Sequence, residues 1–308
     1  MNSERDYKLI PFFFFINGYF YGQIIMAKDK HVIEALGKAR VTIENGKITD
    51  VGEPEIKVCP IFQKVRGINE LTPQAVKENI EFRIDTFGYC TKERELELED
   101  QFVAVGLSEI ISTNVANGCL DCLVGACDGI GTLLITEPEI VDGVGGRVSA
   151  LVSTSPIPEL MEKVGMENVV NPDTAELDPV KGLKLAIERG YKNIAITLVP
   201  SPLIKEIREL DIPQDVNVYL FIAHTTGISR KDAEMIFKYS DVITACASKH
   251  IRDYAEEHEC YYFGKVVPIV VASEKGRIFL DNRLKVVGKP LSTNVYPPED
   301  VRYPEPLI

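Results

Sequence analysis

The sequence predicts an α/β fold: a mostly parallel sheet domain with helices on both faces, preceded by a small strand-plus-helix region that carries a Cys-rich loop. Three observations predict it. From about residue 131, short β-branched runs alternate with short helical segments, the rhythm of right-handed βαβ units. Earlier, Val41, Ile43, Ile48 and Val51 alternate around Asn45-Gly46, a hairpin signal because both turn residues tolerate positive φ. Between these two regions, Cys119, Cys122 and Cys127 fall in one glycine-rich stretch, NGCLDCLVGACDG.

The elements follow in chain order. Thr72-Pro73 opens a helix to about residue 83, with Thr as N-cap and Pro in the first turn. A second helix is expected through KERELELEDQFVAVGLSEIIS after Cys90-Thr91, its acidic early turns matching the positive end of the helix dipole. The run 142–147, DGVGGR, reads as a hairpin turn, because it lacks the strand–GxGxxG–helix context of a dinucleotide fingerprint. Strands are expected at 133–135, 148–152, 168–170, 193–199, 216–223 and 241–245, with a final pair around 265–272 and 277–280. Helices are expected at 158–164, 179–189, 202–210, 230–239 and 250–259. The resulting division is 1–25 as an apolar extension, 26–130 as the strand/helix region, 131–288 as a Rossmann-like domain and 289–308 as a Pro-rich tail.

Residues 9–27, LIPFFFFINGYFYGQIIMA, are about as long as a membrane span requires, but Asn17, Gly18 and Gln23 interrupt them. No small-residue cleavage site marks a signal peptide. The favoured expectation is an extension from an over-early start codon, with Met26 opening the domain. A packed or interfacial segment and a membrane anchor are the alternatives.

The chain has 308 residues, 34 Lys+Arg against 46 Asp+Glu, and a net charge of −12. That balance argues against a nucleic-acid partner, which needs Lys/Arg stripes to neutralise phosphates. Seven cysteines in so long a chain are too sparse for a secreted disulfide scaffold and fit a reduced cytoplasm. There is no Walker A sequence and no nucleophile elbow.

The C-x2-C-x4-C spacing of Cys119, Cys122 and Cys127 suits thiolates that converge from a tight backbone, and Cys90 is the first candidate for a fourth ligand. An iron–sulfur cluster is the leading reading, because no histidine lies between His31 and His224 to complete an ordinary zinc site. Zinc, a redox dithiol and plain buried cysteines are the alternatives. Cys59 and Cys260 read as structural.

In an open parallel sheet, ligands sit outside the carboxyl ends of the strands. The residues expected there are Ser153, Thr154, Ser201, Thr225, Thr226 and Ser248 as binding groups for an anionic small molecule. His224, Lys249 and His250 add acid–base and cationic groups, and Cys246 is a possible nucleophile beside them. Helix N-capping is the plainer explanation for the hydroxyls.

HVIEALGKARVTIENGKITDVGEP, IDTFGYC around Cys90 and NGCLDCLVGACDGIGTLL make the chain, from about Met26 to Val287, resemble the methanogenesis marker protein 8 family of archaea. The resemblance implies an anaerobic cytoplasm and carries no activity or ligand set with it. Two functions are expected on these grounds. The first is a cytoplasmic iron–sulfur or metal-binding protein assisting methanogenesis, with a protein partner in that machinery, in activation of methyl-coenzyme M reductase or on a methanogenic cofactor. The second is a metal-independent enzyme acting on a phosphorylated or carboxylated small molecule through His224, Lys249 and His250.

Overall fold

A computed structural model describes residues 9–16, 19–26, 29–98, 103–146, 150–294, 296 and 302–308, the first two stretches as backbone only. Strands β1 (Leu9–Ile16) and β2 (Tyr19–Met26) pair antiparallel in a two-stranded hairpin. Among the described residues no helix is long and apolar enough to cross a membrane.

Strands β3 (Lys30–Glu34), β4 (Arg40–Glu44) and β5 (Lys47–Val51) form an antiparallel meander. Asn45 and Gly46 turn β4 into β5 at φ 51° and 69°, as the Asn-Gly signal requires. Helix α1 (Pro60–Arg66) follows, then α2 (Pro73–Phe87), where the Thr72 hydroxyl accepts from the Ala75 N–H at 3.2 Å.

The long helix expected after Cys90 does not form. Only its end is helical, as α3 (Leu107–Ala116), and residues 99–102 lie outside the described set. In the stretch before it, Arg94, Leu96 and Leu98 are buried while Glu93, Glu95 and Glu97 face solvent. That alternation has period 2, which an extended chain satisfies and a helix does not.

The cysteine stretch is likewise a strand rather than a loop. β6 (Cys122–Cys127) and β7 (Gly131–Ile135) make an antiparallel hairpin turned by residues 128–130. Residues 142–145, expected in a hairpin turn, belong to helix α4 (Pro138–Gly145), and Arg147 lies outside the described residues. Gly143 is needed in α4 because a Cβ there would stand 2.0 Å from the Leu96 carbonyl oxygen.

β8 (Ala150–Ser153) pairs with β3, completing a four-stranded sheet of order β5-β4-β3-β8. Next come α5 (Pro158–Val164), α6 (Pro179–Glu188), β9 (Asn193–Leu198), α7 (Leu203–Glu209), β10 (Asn217–Ile222), α8 (Arg230–Tyr239), β11 (Val242–Thr244) and α9 (Lys249–Glu257). β12 (Tyr262–Phe263), β13 (Ile269–Val271) and α10 (Glu274–Val286) close the series. The strand expected at 168–170 shrinks to a single bridge between Val169 and Leu133. The one expected at 277–280 is helical: the Ser273 hydroxyl caps α10 at the Gly276 N–H, and Phe279, Leu280, Arg283 and Leu284 bury one helical face.

The larger sheet has seven strands in the order β12-β13-β11-β10-β9-β6-β7. β6, β9, β10 and β11 are parallel neighbours, while β7 and β13 run antiparallel to theirs. Apolar clusters cover both faces, one built around Leu133, Phe221 and Phe279 and the other around Ile196, Leu220 and Ile236. A third core fills the small region between its sheet and α2. The two sheets interleave in sequence, since β6 and β7 lie in the larger and β8 in the smaller.

Two devices join the regions. Arg94 and Asp128 form an ion pair at 3.2 Å with neither side chain exposed, and Asp128 also accepts from the Cys90 N–H at 2.7 Å. The second device is the described end of the Pro-rich tail, which docks as a strap. Glu305 exchanges main-chain hydrogen bonds with Val58, and the Ile308 oxygen accepts from the Gly227 and Lys249 N–H groups at 3.1 and 2.9 Å.

Removing one partner of a fully buried ion pair leaves the other charge uncompensated. Asp128→Ala therefore lowers stability by about 3–5 kcal/mol in urea unfolding. A loss below about 1 kcal/mol, the range of an exposed pair, contradicts this reading of the junction.

Candidate functional site

Beyond the carboxyl ends of β10 and β11, where an open parallel sheet leaves room for ligands, lies a cleft of about 370 Å³. The sheet contributes His224 and Thr226 after β10, and Thr244 and Cys246 at the end of β11. The small region supplies Lys38 from the turn after β3, Cys59 at the start of α1 and Arg83 of α2. The remaining wall holds Gly106, Ser108 and Glu109 at the start of α3 with Gly145 and Gly146 at the end of α4.

Arg83 reaches the cleft because of its place on α2. Val76, Asn79, Ile80 and Phe87 form the buried stripe of that helix, and position 83 continues it. Its guanidinium carbon lies 5.9 Å from the centre of the Tyr89 ring. Lys38 sits in a tight left-handed turn, φ 67°, and its ammonium is held 3.4 Å from Glu55. The same ammonium lies 2.7 Å from where a Cβ on Gly227 would stand, so it reaches the loop that carries His224.

His224 also has left-handed backbone, φ 56°, a conformation that costs a non-glycine residue energy and gathers at functional sites. The residue is exposed and lines the cavity. Desolvation by the surrounding protein, with the Arg83 charge adding to it, lowers its pKa from 6.5 to about 4. His224 is thus a neutral imidazole at physiological pH, able both to donate and to accept a hydrogen bond. Burial, with Cys59 adding to it, pushes the Cys246 thiol up to about 11, so it is protonated and no ready nucleophile.

The other expected residues lie elsewhere. Thr225 is buried and donates to the Thr244 carbonyl at 2.6 Å. Ser248 is buried at the start of α9, and its hydroxyl has no hydrogen-bond partner. Lys249 pairs with Asp253 at 2.6 Å, His250 stands 3.8 Å from the same carboxylate, and neither lines the cleft. Ser153 lies on β8, and Ser201 lies in the turn before α7. Thr154 has a structural post: its hydroxyl oxygen accepts from the Gly129 N–H at 2.7 Å and stands 2.6 Å from His31 Nδ1, whose Nε2 meets Asp29 at 2.8 Å. A second cavity, at the opposite ends of β10 and β11, is lined in part by Arg208. That guanidinium is committed to the Tyr239 and Val218 carbonyls and to Asp241.

The four cysteines proposed as ligands do not form one set. Cys122 and Cys127 are five residues apart on β6, so they point to opposite faces and pack into different cores. Cys119 is exposed, with Asn282 Nδ2 3.7 Å from its sulfur. Cys90 is buried beside Asp128 and Arg94. Burial, reinforced by Asp128, raises the Cys90 and Cys127 thiols, and burial lifts Cys122 to about 12, so all three are protonated at neutral pH. Among the described residues no three His, Cys, Asp or Glu side chains are grouped to hold a metal ion. Cys122 and Cys127, on opposite faces of β6, are not placed to share one metal ion.

Fold and cleft define an α/β protein with a cleft at the carboxyl edge of its larger sheet. The chain belongs to the family described as "uncharacterized protein conserved in archaea" (DUF2099), matched over residues 31–285. It is 41% identical over 283 residues to an uncharacterized protein of Methanocaldococcus jannaschii, covering 91% of this chain and 100% of that protein. No solved structure matches it.

Two measurements check the site. In the native protein a thiol reagent modifies Cys119 first and reaches Cys90, Cys122 and Cys127 only on unfolding, as read by peptide mass spectrometry. Early modification of Cys122 or Cys127 contradicts their placement. The second concerns acid. The unfolded chain takes up a proton at His224 near pH 6.5 and the folded chain only near pH 4, so stability falls as pH drops through that window. His224→Asn, which tolerates the left-handed backbone, shows a shallower fall in Tm between those pH values. Equal slopes contradict a neutral, enclosed His224.

Proposed function

We propose that this protein binds a small molecule with a carboxylate or phosphate group in the cleft beyond β10 and β11. The observation that carries the reading is the grouping of Arg83, Lys38 and His224 at one end of it. Arg83 and Lys38 supply positive charge in a confined space, where charge-assisted hydrogen bonds are stronger than in bulk water. His224 adds a neutral donor or acceptor, and the Thr226 hydroxyl adds another. If the protein is an enzyme, His224 is the acid–base group that touches the ligand. Lys249 and His250 take no part in this reading, because they lie outside the cleft.

The setting we propose is methanogenesis in an archaeal cytoplasm. The resemblance to methanogenesis marker protein 8 supports it, as does the relative in Methanocaldococcus jannaschii, a methane-producing archaeon. The ligand would then be an anionic cofactor or intermediate of that metabolism, handled alone or with a protein partner. No iron–sulfur step enters the proposal, since its ligand set is not assembled.

Isothermal titration with inorganic phosphate and with short-chain carboxylates tests the reading. The wild-type protein binds at least one of them, and Arg83→Gln weakens that binding about tenfold or more, the worth of a charge-assisted hydrogen bond. Absence of binding to every such anion, or equal binding by the variant, overturns it.

A further inference from the structure

The far wall of the cleft holds a carboxylate that the fold leaves half used. Glu109, in the first turn of α3, is 1% exposed. Its Oε2 accepts from the Ser108 hydroxyl at 3.0 Å, while its Oε1 has no hydrogen-bond partner among the described residues. The Ser108 contact accounts for the first oxygen and leaves the second unexplained. A buried carboxylate oxygen without a donor is costly, and native folds rarely keep one unless a ligand or water completes it.

The wall around Glu109 is built from glycines. A Cβ on Gly106 would stand 2.4 Å from Oε2, and one on Gly146 would stand 3.7 Å from Oε1. Gly106, Gly145 and Gly146 line the cleft beside Val103, Leu107 and Ser108, so glycine backbone forms part of the wall around the carboxylate. The charges that act on Glu109 are Asp142 and Arg283, whereas the charge that acts on His224 is Arg83. Glu109 thus shares its end of the cleft with Asp142 and the Arg283 guanidinium, whereas His224 shares its end with Arg83. Burial raises the Glu109 carboxyl above its ordinary value and Asp142 adds to this, against the Ser108 hydrogen bond and Arg283; a positively charged donor at Oε1 would stabilise the carboxylate through a charge-assisted hydrogen bond, which is stronger than a neutral one.

We propose that Glu109 is a specificity-determining residue that receives a protonated amine of the ligand, making the ligand class an amino acid-like molecule with its anionic group at Arg83 and Lys38. This rests on the anion-binding reading of the same cleft. Burial of both charged ends in one enclosed site would make the separation between amine and anion the quantity the protein measures.

The test uses the full chain and two matched series of probes, ω-aminocarboxylates from 4-aminobutanoate to 8-aminooctanoate and the corresponding unsubstituted carboxylates, titrated calorimetrically. One or more of the amino compounds is expected to bind about tenfold or more tighter than its partner of equal length. Glu109→Gln, which keeps size and an acceptor but removes the charge, is expected to abolish that preference while leaving binding of the plain carboxylate within about twofold. Arg83→Gln is expected to weaken both series alike. Equal binding of the two series at every length in the wild-type protein overturns the proposal without using any variant. So does a preference that survives in Glu109→Gln. If no member of either series binds and phosphate does not bind either, the anion-binding reading itself falls and this inference falls with it.

Discussion

The enclosure of the cleft depends on one fully buried ion pair. Arg94 reaches out of the extended segment before α3 and meets Asp128 in the β6–β7 turn. The same guanidinium donates to the Gly143 carbonyl of α4 at 3.0 Å and to the Glu95 carbonyl, and Asp128 takes the Cys90 N–H. One contact thus fixes the end of α2, the approach to α3, the body of α4 and the hairpin that begins the larger sheet. Of those elements, α2 gives Arg83, α3 gives Glu109 and α4 gives Gly145 to the wall of the cleft. A buried pair is a poor source of net stability, but it penalises alternative arrangements heavily, because either charge left alone is expensive. The docked tail acts in the same sense from the other side, tying Val58 to the loops around Gly227 and Lys249.

This junction also explains the cysteines. Cys90 and Cys127 are drawn to the pair as small buried side chains, and Cys122 fills the opposite face of β6. Cysteines grouped in sequence are separated by the pleat of a strand, which sends odd-numbered spacings to opposite sides. The spacing C-x4-C meets that rule and so splits its own pair. The chemistry at neutral pH shifts accordingly from thiolates to the cleft, where a neutral imidazole faces a guanidinium and an ammonium.

Much of the larger sheet was legible because its signals are local. The bounds of α5 and α8 follow from Pro158 and from the Ser229 cap with its amphipathic run, and the β4–β5 hairpin follows from Asn45-Gly46. The location of the cleft was legible too, since an open α/β sheet leaves room beyond its strand ends, and His224 and Thr226 line it there. What was not legible depends on long-range contact. Glycines in the β6 region hid a central strand, and an acidic run whose true pattern has period 2 passed for a helix. Arg83 left one trace, a charge on the apolar stripe of α2, while Lys38 and Glu109 left none until the small region packed against the sheet. Lys249 and His250 failed for the converse reason: adjacency in sequence to a strand end did not turn them inward, and Asp253 holds them on the surface of α9.

We propose that His224 is a neutral imidazole at the anion-binding end of the cleft. Imidazole nitrogen NMR, with pH and then phosphate varied, tests that most directly among only four histidines. His224 is expected to stay neutral until pH approaches about 4, and added phosphate is expected to move its resonances while those of His250 and His258 stay in place. A His224 that titrates near its ordinary 6.5 and does not respond to phosphate would contradict it.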